Sequence, residues 1–127
     1  MPLVRVSLPH DLSDAQVAAV GDAVHASLVR AFNVPPKDRF QVLTRHPPQE
    51  LVYAPEYLGV AHGARIAFVQ ITCNEGRTVD MKKALYAGLA ASIAETGAVA
   101  AADVIVNLVE VKKENWSFGN GLAQYAE

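Results

Sequence analysis

The chain repeats itself, and the repeat limits its possible folds more than any other feature. Moving the sequence along itself by 65 positions lays its first third on a later segment without a gap. Val4 then falls on Val69, Ser13 on Thr78, Leu28 on Ile93 and Asp38 on Asp103. Identity between the copies is low, so what recurs is the spacing of element starts and apolar positions. Such a spacing is the mark of a duplicated structural unit.

Each unit reads as strand, helix, strand. In LVRVSL (3–8), Val4, Val6 and Leu8 alternate with Leu3, Arg5 and Ser7, the period of a strand. SDAQ (13–16) has the form of a capping box, with Ser13 as N-cap and Gln16 reaching back. The helix that follows carries Val17, Val20, Val24, Leu28 and Ala31 on one stripe, and Asn33 with Pro35-Pro36 ends it. DRFQVLT (38–44) is the second strand, with Asp38 at its start. Segment 45–64, which contains Pro47, Pro48 and Pro55, is looser. AFVQIT (67–72) then opens the second unit, with Thr78 as N-cap and Leu85, Leu89 and Ile93 as the buried stripe. Gly97 stands where a left-handed C-terminal cap is expected, and DVIVNLVEV (103–111) is the fourth strand.

The expected fold class is therefore α/β (α+β), a four-stranded mixed sheet with two helices. Right-handed crossovers put both helices on one face. One domain is expected over 1–127, with pseudo-repeats 2–46 and 66–111 and a C-terminal segment 112–127. The third and fourth strands read as apolar on both faces, through Ile66, Phe68 and Val69 and through Val104, Ile105, Val106 and Leu108. That pattern predicts burial on both sides, and another subunit is the expected cover.

Apolar residues make up 51% of the chain and charged ones 19%, which is the balance of a globular domain. A net charge of −2 without a basic run argues against nucleic acid or an anionic membrane as partner. The lone Cys73 rules out an internal disulfide and fits a reducing compartment. No apolar run reaches membrane-spanning length, and Arg5 and Pro9 interrupt any leader-like stretch, so a cytoplasmic protein is expected. His10, His25, His46 and His62 are scattered without ligand spacing, and no metal or cofactor is expected.

Four features can carry chemistry. Pro2 follows Met1 directly, so loss of one methionine leaves a secondary amine that no side chain provides. Arg77, in EGRT, precedes a helix N-cap, where a cation costs about 0.3–1 kcal/mol against the helix dipole. It is either a solvated arginine or part of a carboxylate site built with the helix N–H groups. Asp38, in PPKDRF, suits a turn or cap role as well as a catalytic one. Trp116 and Phe118, in NWSFGNG (115–121), are either core or the wall of a small apolar pocket. His25, beside the first helix stripe, reads as a packing or surface residue.

Together these pieces resemble the tautomerase superfamily, whose members are built from β–α–β units and use an amino-terminal proline. GRTVDMKKAL resembles the glycine-arginine-helix segment of 4-oxalocrotonate tautomerase. AVHASLVRAFNVPPKDRFQVLTRH (23–46), YLG (57–59), GRT (76–78) and NWSFGNGLAQY (115–125), after an initial Pro2, are more similar to malonate semialdehyde decarboxylases. The resemblance spans nearly the whole chain. It implies Pro2 as catalytic amine, Asp38 as its acidic partner and Arg77 as carboxylate binder. It also implies Trp116 and Phe118 as pocket walls, a small carboxylate substrate, and a homotrimer. Where some of these decarboxylases carry a second arginine before the GRT arginine, this chain has Asn74 and Glu75. Other members have an amide there, which makes Asn74 a substrate-binding residue, while Glu75 is expected to weaken anion binding. The activity implied is decarboxylation of a small β-keto acid. Keto–enol tautomerisation of phenylpyruvate-type 2-oxo acids is the alternative, and a non-catalytic trimeric interaction protein is a third.

Overall fold

Val4, Val6 and Leu8 leave one side of the first strand, β1 (Pro2–Pro9), and are at most 1% exposed. They need a cover, and Val20, Val24 and Leu28 of α1 (Asp14–Phe32) provide it. Each such side chain contributes about 1.5–3 kcal/mol on full burial. The helix starts at the capping box expected of Ser13 and Gln16 and ends at Asn33 in the left-handed region. The chain returns as β2 (Gln41–His46), parallel to β1. The second unit runs through β5 (Ala67–Asn74), α2 (Val79–Glu95) and β6 (Val104–Val111), again with its two strands parallel. Between the units, β3 (Glu56–Tyr57) and β4 (Val60–Ala61) form a small hairpin. The computed structural model describes residues 1–126.

The four long strands lie in the order β2-β1-β5-β6, with β1 and β5 antiparallel at the centre. Both helices pack on one face, so the sheet is mixed and two-layered as expected. β1 and β5 share one alternation of buried and exposed residues, and two pairs of residues 65 apart meet. Arg5 faces Gln70 across the sheet, and Ser27 Oγ lies 3.1 Å from Ser92 Oγ between the helices. Each serine hydroxyl also donates back to a carbonyl four residues earlier, Ala23 and Gly88. An approximate two-fold relation therefore runs through the sheet centre and the helix contact.

Two expectations are corrected. β2 starts at Gln41 rather than at Asp38, because the Asp38 N–H is spent on the Pro35 carbonyl in a turn. The outer face of the third and fourth long strands is mixed, not apolar. Val69, Val104, Val106 and Leu108 turn toward the helices, whereas the outer face carries Phe68 and Ile105 beside Gln70, Thr72 and Asn107. Alternation assigns neighbours such as Phe68 and Val69 to opposite sides, so an apolar run need not make both faces apolar. No helix among the described residues is long and apolar enough to cross a membrane.

Candidate functional site

The site forms where β1 begins, because three connections converge there. Pro2 opens β1, where a missing N–H is tolerated, and is buried opposite Cys73 of β5. The α1–β2 connection reaches the same end through the Val4 N–H, which donates to the Phe40 carbonyl at 3.0 Å. The turn before it carries Asp38 and is held from behind by His25, whose Nε2 donates to the Pro36 carbonyl at 2.7 Å. His25 thus packs as expected, and its contact fixes the turn that presents Asp38.

With Met1 attached, the terminal ammonium lies 3.6 Å from Asp38 Oδ2. The Asp38 side chain is 17% exposed, and its other oxygen, Oδ1, is buried without a hydrogen-bond partner among the described residues. The repeat supplies an internal comparison. Asp103, the counterpart 65 positions on, has its Oδ1 filled by the Gly63 N–H at 2.9 Å, with His62 Nδ1 at 3.5 Å. One copy of this aspartate is a structural tie, and the other keeps an unspent acceptor, at a cost of about 1–3 kcal/mol for the lost hydrogen bond. Such a group is the one expected to meet a ligand.

A second cluster stands at the end of β5. Asn74 is 9% exposed, and its Oδ1 accepts the Trp116 Nε1–H at 2.8 Å. Gly76, at φ +119°, turns the chain away from the strand. Thr78 then caps α2 by accepting the Met81 N–H. The Arg77 guanidinium lies 4.9 Å from the Phe32 ring centre and donates to the Asn74 carbonyl at 3.0 Å. Among the described residues it forms no ion pair, so further N–H donors remain for an anion. Glu75 is exposed, and its N–H donates to the Val111 carbonyl. Burial pushes the Cys73 thiol up, against the opposing pull of Arg77.

Aromatic stacking joins the two clusters. Trp116 stacks on Phe118 at 5.7 Å between ring centres, and Phe118 meets Phe40 at 6.4 Å and the edge of Tyr125 at 5.0 Å. Gly119, Asn120 and Gly121 all have positive φ, a sharp reversal that brings Tyr125 back onto Phe118. An opening of about 400 Å³ results, lined by Met1, Pro35, Lys37, Asp38, Phe40, Phe118 and Tyr125. Asp38 and Phe118 line it directly, while Asn74, Arg77 and Trp116 stand behind the Trp116–Phe118 stack. Phe40, Lys37 and Tyr125 were missed by sequence reasoning; Phe40 alone carried a signal, lying inside DRFQ. A larger hollow of about 510 Å³ beside the β3–β4 hairpin is mainly apolar, and the one histidine in it, His62, is tied to the Ala102 carbonyl. The smaller opening is therefore the better candidate for chemistry. Among the described residues no group of three or more His, Cys, Asp or Glu is disposed to hold a metal ion.

Comparison with known proteins gives this geometry its setting. Sequence profiles described as "Tautomerase enzyme" match residues 38–119 and residues 2–61. The chain belongs to the tautomerase family. Its tautomerase relatives include "Probable tautomerase YusQ" of Bacillus subtilis (strain 168), 35% identical over the full length of both chains. "Probable tautomerase YrdN" of the same organism is 30% identical over 98% of this chain and 96% of its own. Among solved structures, FG41 malonate semialdehyde decarboxylase inhibited by 3-bromopropiolate superposes with a TM-score of 0.91. It is 36% identical over 98% of this chain and 94% of that one. A second malonate semialdehyde decarboxylase, described with decarboxylase and hydratase activities, gives a TM-score of 0.89 at 31% identity, over 98% of this chain and 95% of that one. This tautomerase family member is thus an enzyme by kinship, with the same two-layer fold as those decarboxylases.

Proposed function

We propose that this enzyme decarboxylates a small β-keto acid of the malonate semialdehyde type, in one domain, with the Met-free Pro2 nitrogen as the catalytic amine. The observation that carries the reading is the unspent Asp38 carboxylate beside the chain's terminal amine, 3.6 Å away with Met1 attached. A free α-amino group titrates at roughly 7.7–8.0, so both of its forms are accessible near neutral pH. As a cation, it polarises the aldehyde oxygen. As a free amine, it condenses with the aldehyde, losing water to form an iminium. In either case the bond to the carboxylate carbon breaks, CO₂ leaves, and its electron pair enters the polarised carbonyl or iminium. A proton then adds to the α-carbon, and hydrolysis frees acetaldehyde if an iminium was formed.

Arg77 holds the substrate carboxylate, with Asn74 beside it in place of a second cation. Asp38 orients water or relays the proton, and Trp116 and Phe118 supply the apolar wall. The names of the Bacillus relatives favour a second reading, in which the uncharged proline shuttles a proton between carbon and oxygen of an enol. Proton NMR of the Met-free protein separates the two. Acetaldehyde from malonate semialdehyde supports decarboxylation; ketonisation of phenylenolpyruvate with no acetaldehyde from malonate semialdehyde supports the tautomerase reading.

Arg77→Ala is expected to raise KM sharply for carboxylate substrates, because a charged hydrogen-bonding partner is lost in ground and transition states alike. A kcat/KM within a factor of about two of the parent would remove Arg77 from the anion site. The working form is proposed to be a cytoplasmic homotrimer. A fused 4-OT crystallised as a symmetric trimer superposes with a TM-score of 0.80 at 26% identity, over 98% of both chains. The open sheet face, with Phe68 and Ile105, is the expected contact. Light scattering should give three times the mass of a single chain at micromolar concentration; a monomeric mass contradicts this.

A further inference from the structure

Glu110 and Lys82 take no part in the chemistry described so far, yet they brace the loop that carries Arg77. Glu110 lies on β6 directly opposite Cys73, which lies directly opposite Pro2. Lys82 follows from the first turn of α2, with its Nζ 2.7 Å from Glu110 Oε1. The Glu110 carboxylate also accepts the Gly76 N–H, and the neighbouring Glu75 N–H donates to the Val111 carbonyl at 2.9 Å. The residues just before Arg77 are thus pinned to β6 at two successive amides. Gly76 needs such pinning, since at φ +119° with open space around it nothing else fixes the turn.

The electrostatics point the same way. The hydrogen bond to Lys82 holds the Glu110 carboxyl below its ordinary value, with Arg77 adding to the effect, and Glu110 in turn raises Lys82. Both groups are charged at neutral pH. Without Lys82, the Glu110 carboxylate would be a bare anion within reach of Arg77 and would oppose a bound carboxylate.

We infer that the Glu110–Lys82 pair is a positioning and charge-masking device for Arg77: Glu110 anchors the loop through Gly76, and Lys82 cancels the negative charge which that anchor brings to the anion site. The inference rests on the proposed role of Arg77 as carboxylate binder. It accounts for a lysine that does not itself hold the substrate, and this distinction can be tested.

The test uses the Met-free protein and three variants, Lys82→Met, Glu110→Gln and the double variant. Both side chains are partly exposed, and glutamine keeps an acceptor for the Gly76 N–H, so folding is preserved. Two readouts are taken: steady-state kinetics, and binding of malonate followed by the indole N–H resonance of Trp116, the only tryptophan. Lys82→Met should raise KM and the malonate Kd about two- to fivefold, the effect of one exposed charge, with kcat unchanged. The double variant should return both to within about twofold of the parent, because the unmasked charge is gone. If Lys82→Met changes nothing, or the double variant stays as weak as Lys82→Met alone, the inference is overturned and the anion site stands. If Arg77→Ala binds malonate as the parent does, both the anion site and the inference fall.

Discussion

Asp38→Asn is expected to lower kcat by about 10²- to 10⁴-fold, the usual contribution of a positioned acid–base group, while KM changes much less. The substitution keeps the size and the turn of Asp38 but removes the charge beside the amine and the capacity to hold a proton. Because Asp38 Oδ1 has no partner among the described residues, no fold-supporting hydrogen bond is lost with it. Asp103→Asn is the matched control. Its carboxylate receives the Gly63 N–H and stands beside His62, so that change should lower stability and leave kcat near the parent value. Steady-state kinetics and urea midpoints on the two variants measure both effects. Equal loss of kcat in the two would mean that Asp38 acts only through the fold.

The fold was legible where local chemistry and apolar periodicity agreed. Ser13 with Gln16, and Thr78, name the helix starts, and Val20, Val24 and Leu28 name the buried face. Periodicity was less informative about where β2 begins. Whether Asp38 belongs to the strand depends on one hydrogen bond to Pro35, which no residue preference encodes. The outer sheet face was misread for a related reason, since counting apolar residues ignores which side each one takes.

The site was only partly legible. Pro2, Asp38 and Arg77 are unusual in themselves, but their convergence depends on strand pairing between distant segments, and their roles came from the resemblance rather than from spacing. Trp116 and Asn74 are 42 positions apart, and nothing near either predicts that the indole would fill the amide oxygen. Lys82 and Glu110 are 28 apart and read as ordinary solvated charges until β6 brings them together.

Met1 retention is expected to abolish turnover, the largest effect in the proposed mechanism. With Met1 attached, the Pro2 nitrogen is a tertiary amide. It has neither a basic lone pair nor a proton, so it can serve as neither acid, base nor iminium former. Steric fit adds to the loss. The Met1 side chain is 5% exposed, and the residue lines the same opening as Asp38, Phe40 and Phe118. Its ammonium occupies the place beside Asp38 that the proline amine must take, roughly one residue length (about 3.8 Å) further out. An otherwise intact pocket is therefore blocked in chemistry and in space.

The most direct measurement is intact-mass spectrometry paired with turnover on preparations that differ only in methionine removal. The Met-free fraction is varied by treatment with a methionine aminopeptidase, and initial rates are plotted against it. The account predicts a straight line through the origin, with full activity at complete removal. Full turnover by a sample whose mass proves that Met1 is still attached would contradict it and return Pro2 to a strand-end residue without a catalytic role.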